Sequence, residues 1–139
     1  GVATAIKLSR PEVKVIGVEP EVASDARESL KSGKLAEFTA DQVTRTVADG
    51  LRTQSIGPIN FEHIRTYVDD IITVSEEEII GAARRLAANP QTLAEPSGAV
   101  SVAGFLYHAD ELPKTINNVA VISGGNIEPS MLSGFRQSA

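Results

Sequence analysis

The stretch "DDIITVSEEEIIGAARRLAAN", residues 69–89, decides how the whole chain is read. Its first six residues carry Ile71, Ile72, Thr73 and Val74, a short β-branched run that predicts a buried strand. Ser75 follows with Glu78 three residues later, the capping-box pattern that starts a helix. Ile79, Ala83 and Leu86 then repeat at helical spacing, and Arg84-Arg85 fall on the opposite, outward face. A continuously apolar strand feeding directly into an amphipathic helix is the repeating unit of parallel α/β architecture.

Working outward, the same alternation recurs. Towards the N-terminus, "INFEHIRTYV" (59–68) predicts a short helix, and residues 34–58 read as a long irregular connection. A connection of that length in a compact domain is usually functional or mobile. Ser24 is placed to cap a helix over "DARESLKSG", with acids early, lysine late and Gly33 at its end. "KVIGVEP" (14–20) predicts a strand closed by proline. "GVATAIKLS" predicts a helix with Ala3 and Ile6 on a buried face, ended by Arg10-Pro11. Towards the C-terminus, "QTLAEPSGA" reads as a short strand ending in a turn, and "AVSVAGFLYHA" as a small-residue buried helix. "NVAVISGG" (118–125) reads as the last strand and "EPSMLSGF" as a closing helix or turn. The expected architecture is a three-layer αβα fold with a mostly parallel sheet, in one domain over 1–139.

Composition narrows the function. The 139 residues are 42% hydrophobic, ordinary for a globular chain, and no window approaches a membrane span. A net charge of -5 and scattered arginines argue against a nucleic-acid partner. With no cysteine, neither disulfide nor thiolate chemistry is available. No secretory leader pattern is visible, so a cytoplasmic protein is the default expectation. The chain opens inside a helix without an initiator methionine. That reads as a piece of something longer, although a trimmed tag would leave the same start.

Ligands of open parallel sheets bind beyond the carboxyl ends of the strands. Three expected strand ends carry polar or small residues: Glu19-Pro20, Glu95-Pro96-Ser97-Gly98 and Ser123-Gly124-Gly125-Asn126. Each alone is compatible with a plain turn. Glu95 is harder to dismiss, because a carboxylate next to a buried strand needs a partner or solvent.

Four segments in series, "VADGL", "VDDIITVSEEEI", "EPSGA" and "VISGGN", resemble the serine/threonine dehydratase group. These are pyridoxal-phosphate enzymes of the tryptophan-synthase-β fold type II, including threonine deaminases and serine racemases. The resemblance covers almost the whole chain in the family's order, and implies the large-domain part of that fold. It implies that Ser123 bonds the cofactor's pyridine nitrogen, that Gly124 and Gly125 admit close backbone approach, and that Glu95 lies near the ring. It also implies that Asp49 and Gly50 form a loop bordering substrate and cofactor. Asn126 either caps a helix or, by the resemblance, lies near an effector site between subunits.

A separate signal is "EPEVASD", where Glu19 and Asp25 flank Ala23. Carboxylate and carbonyl oxygens suit Mg²⁺ or Ca²⁺, while Asp25 could equally just begin a helix. In the serine racemase branch the matching positions bind a divalent cation, so Glu19, Ala23 and Asp25 are the candidate metal ligands.

The resemblance also implies a lysine anchoring the cofactor within Ser-Phe-Lys-x-Arg-Gly, and a glycine-rich phosphate loop. Neither context surrounds Lys7, Lys14, Lys31, Lys34 or Lys114, and solvated faces suit Lys7 and Lys14. The expectation is therefore a C-terminal, cofactor-side domain of a dehydratase-like enzyme. The intact enzyme would release water and ammonia from L-threonine or L-serine to give a 2-oxo acid. Alone the chain would be inactive, and its partners would be a missing N-terminal half or a second copy in a homodimer. The alternative is a non-catalytic truncated module that folds and self-associates.

Overall fold

The computed structural model describes residues 1–137. Seven α-helices and two strands follow in the order α1 (Val2–Ser9), β1 (Ile16–Pro20), α2 (Asp25–Ser32), α3 (Ala40–Val43), α4 (Pro58–Tyr67), β2 (Asp70–Val74), α5 (Glu76–Ala87), α6 (Pro96–Tyr107) and α7 (Pro129–Gln137). Single 3-10 turns lie at Glu21–Ala23 and Asp49–Leu51.

The deciding stretch forms as its residues dictate. Ile71, Ile72 and Val74 are buried in β2, and Ser75 closes a reciprocal capping box with Glu78. The Glu78 N–H donates to Ser75 Oγ at 3.3 Å, and the Ser75 N–H donates to Glu78 Oε2 at 2.8 Å. β1 and β2 pair in parallel, Ile16 opposite Asp70 through Pro20 opposite Val74.

Helices cover both faces of this pair. On one face α6 lies so close that a Cβ at Gly104 would meet the Val18 methyls at 3.0 Å and Ile72 at 3.2 Å. On the other, α2 is tied down by Arg27, whose Nε donates to the Ile71 carbonyl at 3.1 Å. The core sits between β2, α5 and α6: Val74, Ile79, Ala82, Ala83, Ala99, Val100 and Ala103, with Ala48 from the long connection. Its many alanines let the two helices approach closely, and Leu51 and Phe135 pack at its margin.

Several expectations need correction. The connection 34–58 is not irregular throughout: Thr39 and Gln42 build a second capping box and start α3. Ser24 precedes α2 but does not cap it with its side chain; its hydroxyl donates to the Glu21 carbonyl instead. No strand forms at "QTLA", because Glu95 takes the N-cap position and Pro96 the first position of α6. "NVAVISGG" does not form a buried strand. Val119 is 89% exposed, and among the described residues no third strand joins the β1–β2 pair. The Ser101 hydroxyl does hold the Val121 carbonyl at 2.7 Å. The face of α1 carrying Ala3 and Ile6 is only half-covered, and Val2 and Leu8 are exposed.

Candidate functional site

The first turn of α6 gathers the candidate residues from three separate parts of the chain. The Glu95 N–H donates to the Gly124 carbonyl at 3.1 Å. Gly98, one turn along, leaves the space that this carbonyl fills; a Cβ there would collide with the Gly124 backbone. Gly124 in turn faces the Glu95 carboxylate so closely that any side chain would strike it. A Cβ at Gly125 would meet the Leu93 carbonyl at 2.9 Å. The two glycines after "VAVI" are therefore required by close approach, not by a positive φ, which among the described glycines only Gly33 adopts.

On the other side of the same turn lies Asp49–Gly50. The Gly50 N–H donates both to Asp49 Oδ1 and to Ser97 Oγ, each at 2.9 Å, and Ser97 Oγ donates to Asp49 Oδ1 at 3.3 Å. This turn is carried by a segment pinned to α5, where the Val47 N–H donates to Glu76 Oε2 at 2.6 Å. Since α5 directly follows the carboxyl end of β2, the cluster sits beyond the strand ends, where open sheets bind ligands.

Ser123 is exposed beside Gly124, so its hydroxyl is available to an incoming group. Asn126 is also exposed and lies three residues before the first residue of α7, Pro129. The sequence reading did not single out Ser97 as a site residue. The signal was present, because a hydroxyl at the second position of a proline-started helix is not needed for capping.

Glu19, Ala23 and Asp25 form a second polar centre at the carboxyl end of β1. Both Glu19 oxygens accept from the start of α2: Oε1 from the Ala26 N–H at 3.2 Å and Oε2 from the Arg27 N–H at 2.9 Å. A carboxylate thus caps the helix where serine was expected to. Burial, with the nearby Asp25 charge, pushes the Glu19 carboxyl up to about 7, against those two N–H donors. Burial also raises Asp25, which is fully buried and accepts from Thr53 Oγ1 at 3.3 Å. Its buried Oδ2 has no hydrogen-bond partner among the described residues. Among the described residues no set of three His, Cys, Asp or Glu side chains converges on a metal position. The corner nonetheless has the donor chemistry of a hard cation: two carboxylates, one with an orphaned oxygen.

The lysines lie elsewhere. Lys7 and Lys14 both reach Asp69, at 2.6 and 2.9 Å, before the amino end of β2. Lys7 is therefore not on a solvated face; its side chain is 15% exposed. Although burial pushes the Asp69 carboxyl up, hydrogen bonds from Lys7, the Val15 N–H and Lys14 hold it well below the usual carboxylate range.

Residues 1–124 match the family described as pyridoxal-phosphate dependent enzyme. The chain belongs to that family. This member is 39% identical over 132 residues to an L-threonine ammonia-lyase of Thermotoga maritima, covering 95% of the chain and 32% of that protein. It is 35% identical over 135 residues to a serine racemase of Schizosaccharomyces pombe, covering 97% of the chain and 41% of the relative. The processed threonine deaminase isoform 2 of Solanum lycopersicum superimposes with a TM-score of 0.85 at 32% identity, over 99% of the chain and 40% of that structure. The chain of this pyridoxal-phosphate family member thus spans well under half the length of the curated relatives it matches. Its α/β fold is that of the fold-type II enzymes. Among the described residues no helix is long and apolar enough to cross a membrane.

Proposed function

We propose that this chain forms the cofactor side of an ammonia-lyase acting on L-threonine or L-serine, releasing water and ammonia to leave a 2-oxo acid. The carrying observation is that Asp49–Gly50, Glu95 and Gly124 converge on one helix turn beyond the strand ends. The absence of side chains at Gly98 and Gly124 is what lets the Gly124 backbone and the Glu95 carboxylate pack together on that turn.

Pyridoxal phosphate, when bound, supplies an electron sink that labilises bonds at the α-carbon of an amino acid. Ser123 Oγ, a neutral hydroxyl, would hold the pyridine nitrogen without fixing a charge on it. Gly124 and Gly125 would supply backbone beside the ring, and Glu95 would border it. Asp49 and Gly50 would border the substrate. Lys7 and Lys14 are committed to Asp69, and none of the five lysines stands in the sequence context the family resemblance implies for the anchor. The reaction therefore requires an N-terminal half that carries the anchoring lysine, and a homodimer is the assembly the family resemblance favours. Glu19, the Ala23 carbonyl and Asp25 would be the residues to hold Mg²⁺ or Ca²⁺, whose positive charge would compensate the two buried carboxylates.

Complementation in trans is the test. The chain would be mixed with the N-terminal region of the Thermotoga maritima relative that precedes the matched segment, and 2-oxo acid formation from L-threonine followed. Activity in the mixture but in neither part alone is expected. A complex that binds pyridoxal phosphate yet forms no 2-oxo acid from threonine or serine would sink the assignment.

One observation favours a second reading, a self-associating module. Ile116 is 98% exposed and Val119 89%, on one segment outside the helices and strands, a surface that single chains usually cover. Sedimentation of the chain alone decides its weight: Val119→Lys should reduce association if this segment drives it.

A further inference from the structure

We propose that Ser97 is a positioning residue of the site, whose hydroxyl clamps the Asp49–Gly50 turn to the first turn of α6. The proposal rests on the reading of that turn as the substrate border.

Three features of the geometry carry it. Ser97 stands at the second position of α6, where the N-cap is Glu95 and the serine hydroxyl has no capping duty. It is instead spent on the turn, accepting from the Gly50 N–H at 2.9 Å and donating to Asp49 Oδ1 at 3.3 Å. A hydroxyl can do both because it carries one donor and two acceptor lone pairs. Finally, Gly50 is pressed against this side chain: a Cβ there would meet Ser97 Oγ at 3.1 Å and Ser97 Cβ at 3.3 Å.

The consequence is that one helix turn sets both borders of the site. Glu95 and Gly98 fix Gly124 by a backbone hydrogen bond and by close approach. Ser97, between them in sequence, fixes Asp49 and Gly50. The 49–51 turn has short-range backbone hydrogen bonds of its own: Asp49 N–H to the Val47 carbonyl at 3.0 Å, Leu51 N–H to the Ala48 carbonyl at 2.9 Å and Arg52 N–H to the Asp49 carbonyl at 3.3 Å. Asp49 is exposed, so without Ser97 the direction of its carboxylate is set by the Gly50 N–H alone. Ser97 thereby fixes the distance between the substrate-side carboxylate and the ring-side backbone.

The test compares the 139-residue chain with its Ser97→Ala and Ser97→Thr variants by amide hydrogen exchange, and by amide shifts on titration with pyridoxal phosphate. Ser97→Ala should speed exchange at Gly50 by about tenfold, the scale of one net hydrogen bond, while Ile72 in β2 stays within about twofold. Ser97→Thr, which keeps the hydroxyl, should restore the slow exchange. On titration, Gly124 should shift in all three proteins, whereas the Gly50 shift should vanish in Ser97→Ala and return in Ser97→Thr. Unchanged Gly50 exchange in Ser97→Ala, or exchange equally fast in both variants, would overturn the clamp. Should Ser97→Ala fail to fold, Gly50→Ala gives the same reading from the other partner: fast exchange at position 50 supports the clamp and slow exchange overturns it. If pyridoxal phosphate shifts no amide of the unmodified chain, the cofactor assignment fails by itself. The exchange comparison still decides the role of Ser97.

Discussion

At the scale of single residues, the site is made by what is missing as much as by what is present. Gly98 and Gly124 face one another, and their substitution has different consequences. A methyl at Gly98 would press on the Gly124 backbone, which is held by the Glu95 N–H and cannot easily move aside. A methyl at Gly124 would press on the end of the Glu95 side chain, which is flexible and half-buried. Gly98→Ala should therefore cost about 1–3 kcal/mol, the usual scale of overpacking, read as a lowered urea midpoint. Gly124→Ala should leave the midpoint nearly unchanged but displace Glu95, and so weaken pyridoxal phosphate binding by titration. Equal loss of stability in both variants would contradict this geometry. The Glu95–Gly124 pairing could be guessed from "EPSGA" and "VISGGN" only through the family resemblance, since nothing in their spacing makes residues so far apart meet.

At the scale of elements, α5 and α6 are joined at two levels. Their alanines interlock in the core, and at their ends His108 sits between two carboxylates. Its Nδ1 lies 2.6 Å from Glu111 Oε1, and its Nε2 lies 3.1 Å from Glu78 Oε2. Glu111 first and Glu78 second raise the His108 pKa above its ordinary 6.5, against burial. Burial pushes Glu78 up, but the Ser75 N–H and His108 outweigh it and lower the carboxyl from 4.5. The His108 contribution is complete below about 6.5 and is lost as pH rises through its raised folded value. The Glu78 contribution is complete above about 4.5 and is lost as pH falls through its lowered value. The stability advantage of the unmodified chain over His108→Gln should be greatest between these limits and shrink in alkali, as followed by urea denaturation across pH. In the same helix, Ile79 is fully buried, so Ile79→Ala should cost about 2–5 kcal/mol by the same measurement. The 69–89 unit was legible because its signals are local: a β-branched run, a capping box and a helical repeat. The 91–98 segment was misread because a short apolar run before proline suits either a strand end or a helix start.

At the scale of the whole molecule, two polar centres lie beyond the strand ends, and protonation of the one at Glu19 and Asp25 couples to folding. Glu19 is raised to about 7 from 4.5, mainly by burial, so the folded chain holds a proton there that the unfolded chain releases. Its contribution is complete below about 4.5 and is lost as pH rises through about 7. Asp25 is raised too and acts in the same sense. Without divalent cation, stability should fall across that interval, and Glu19→Gln should flatten the fall. With saturating Ca²⁺ or Mg²⁺ the trend should weaken or reverse, because the ion binds the ionised carboxylates. Urea midpoints over this pH range, with and without each cation, check both statements. A pH profile identical with and without either ion, in the unmodified chain, would remove Glu19, Ala23 and Asp25 as cation ligands.

The sequence by itself determined the alternation of strands with helices, the capping of α5 and the Gly33 end of α2. Each of these depends on neighbours within a few positions, where propensity, capping and periodicity act. Only the tertiary structure decided that the "NVAVI" segment stays exposed, that Glu19 rather than Ser24 caps α2, that Lys7 is tied to Asp69, and that Ser97 holds Asp49–Gly50. These depend on partners 7 to 62 positions away in the chain. Whether an apolar run is buried, or a polar atom satisfied, is set by which elements packing brings alongside it.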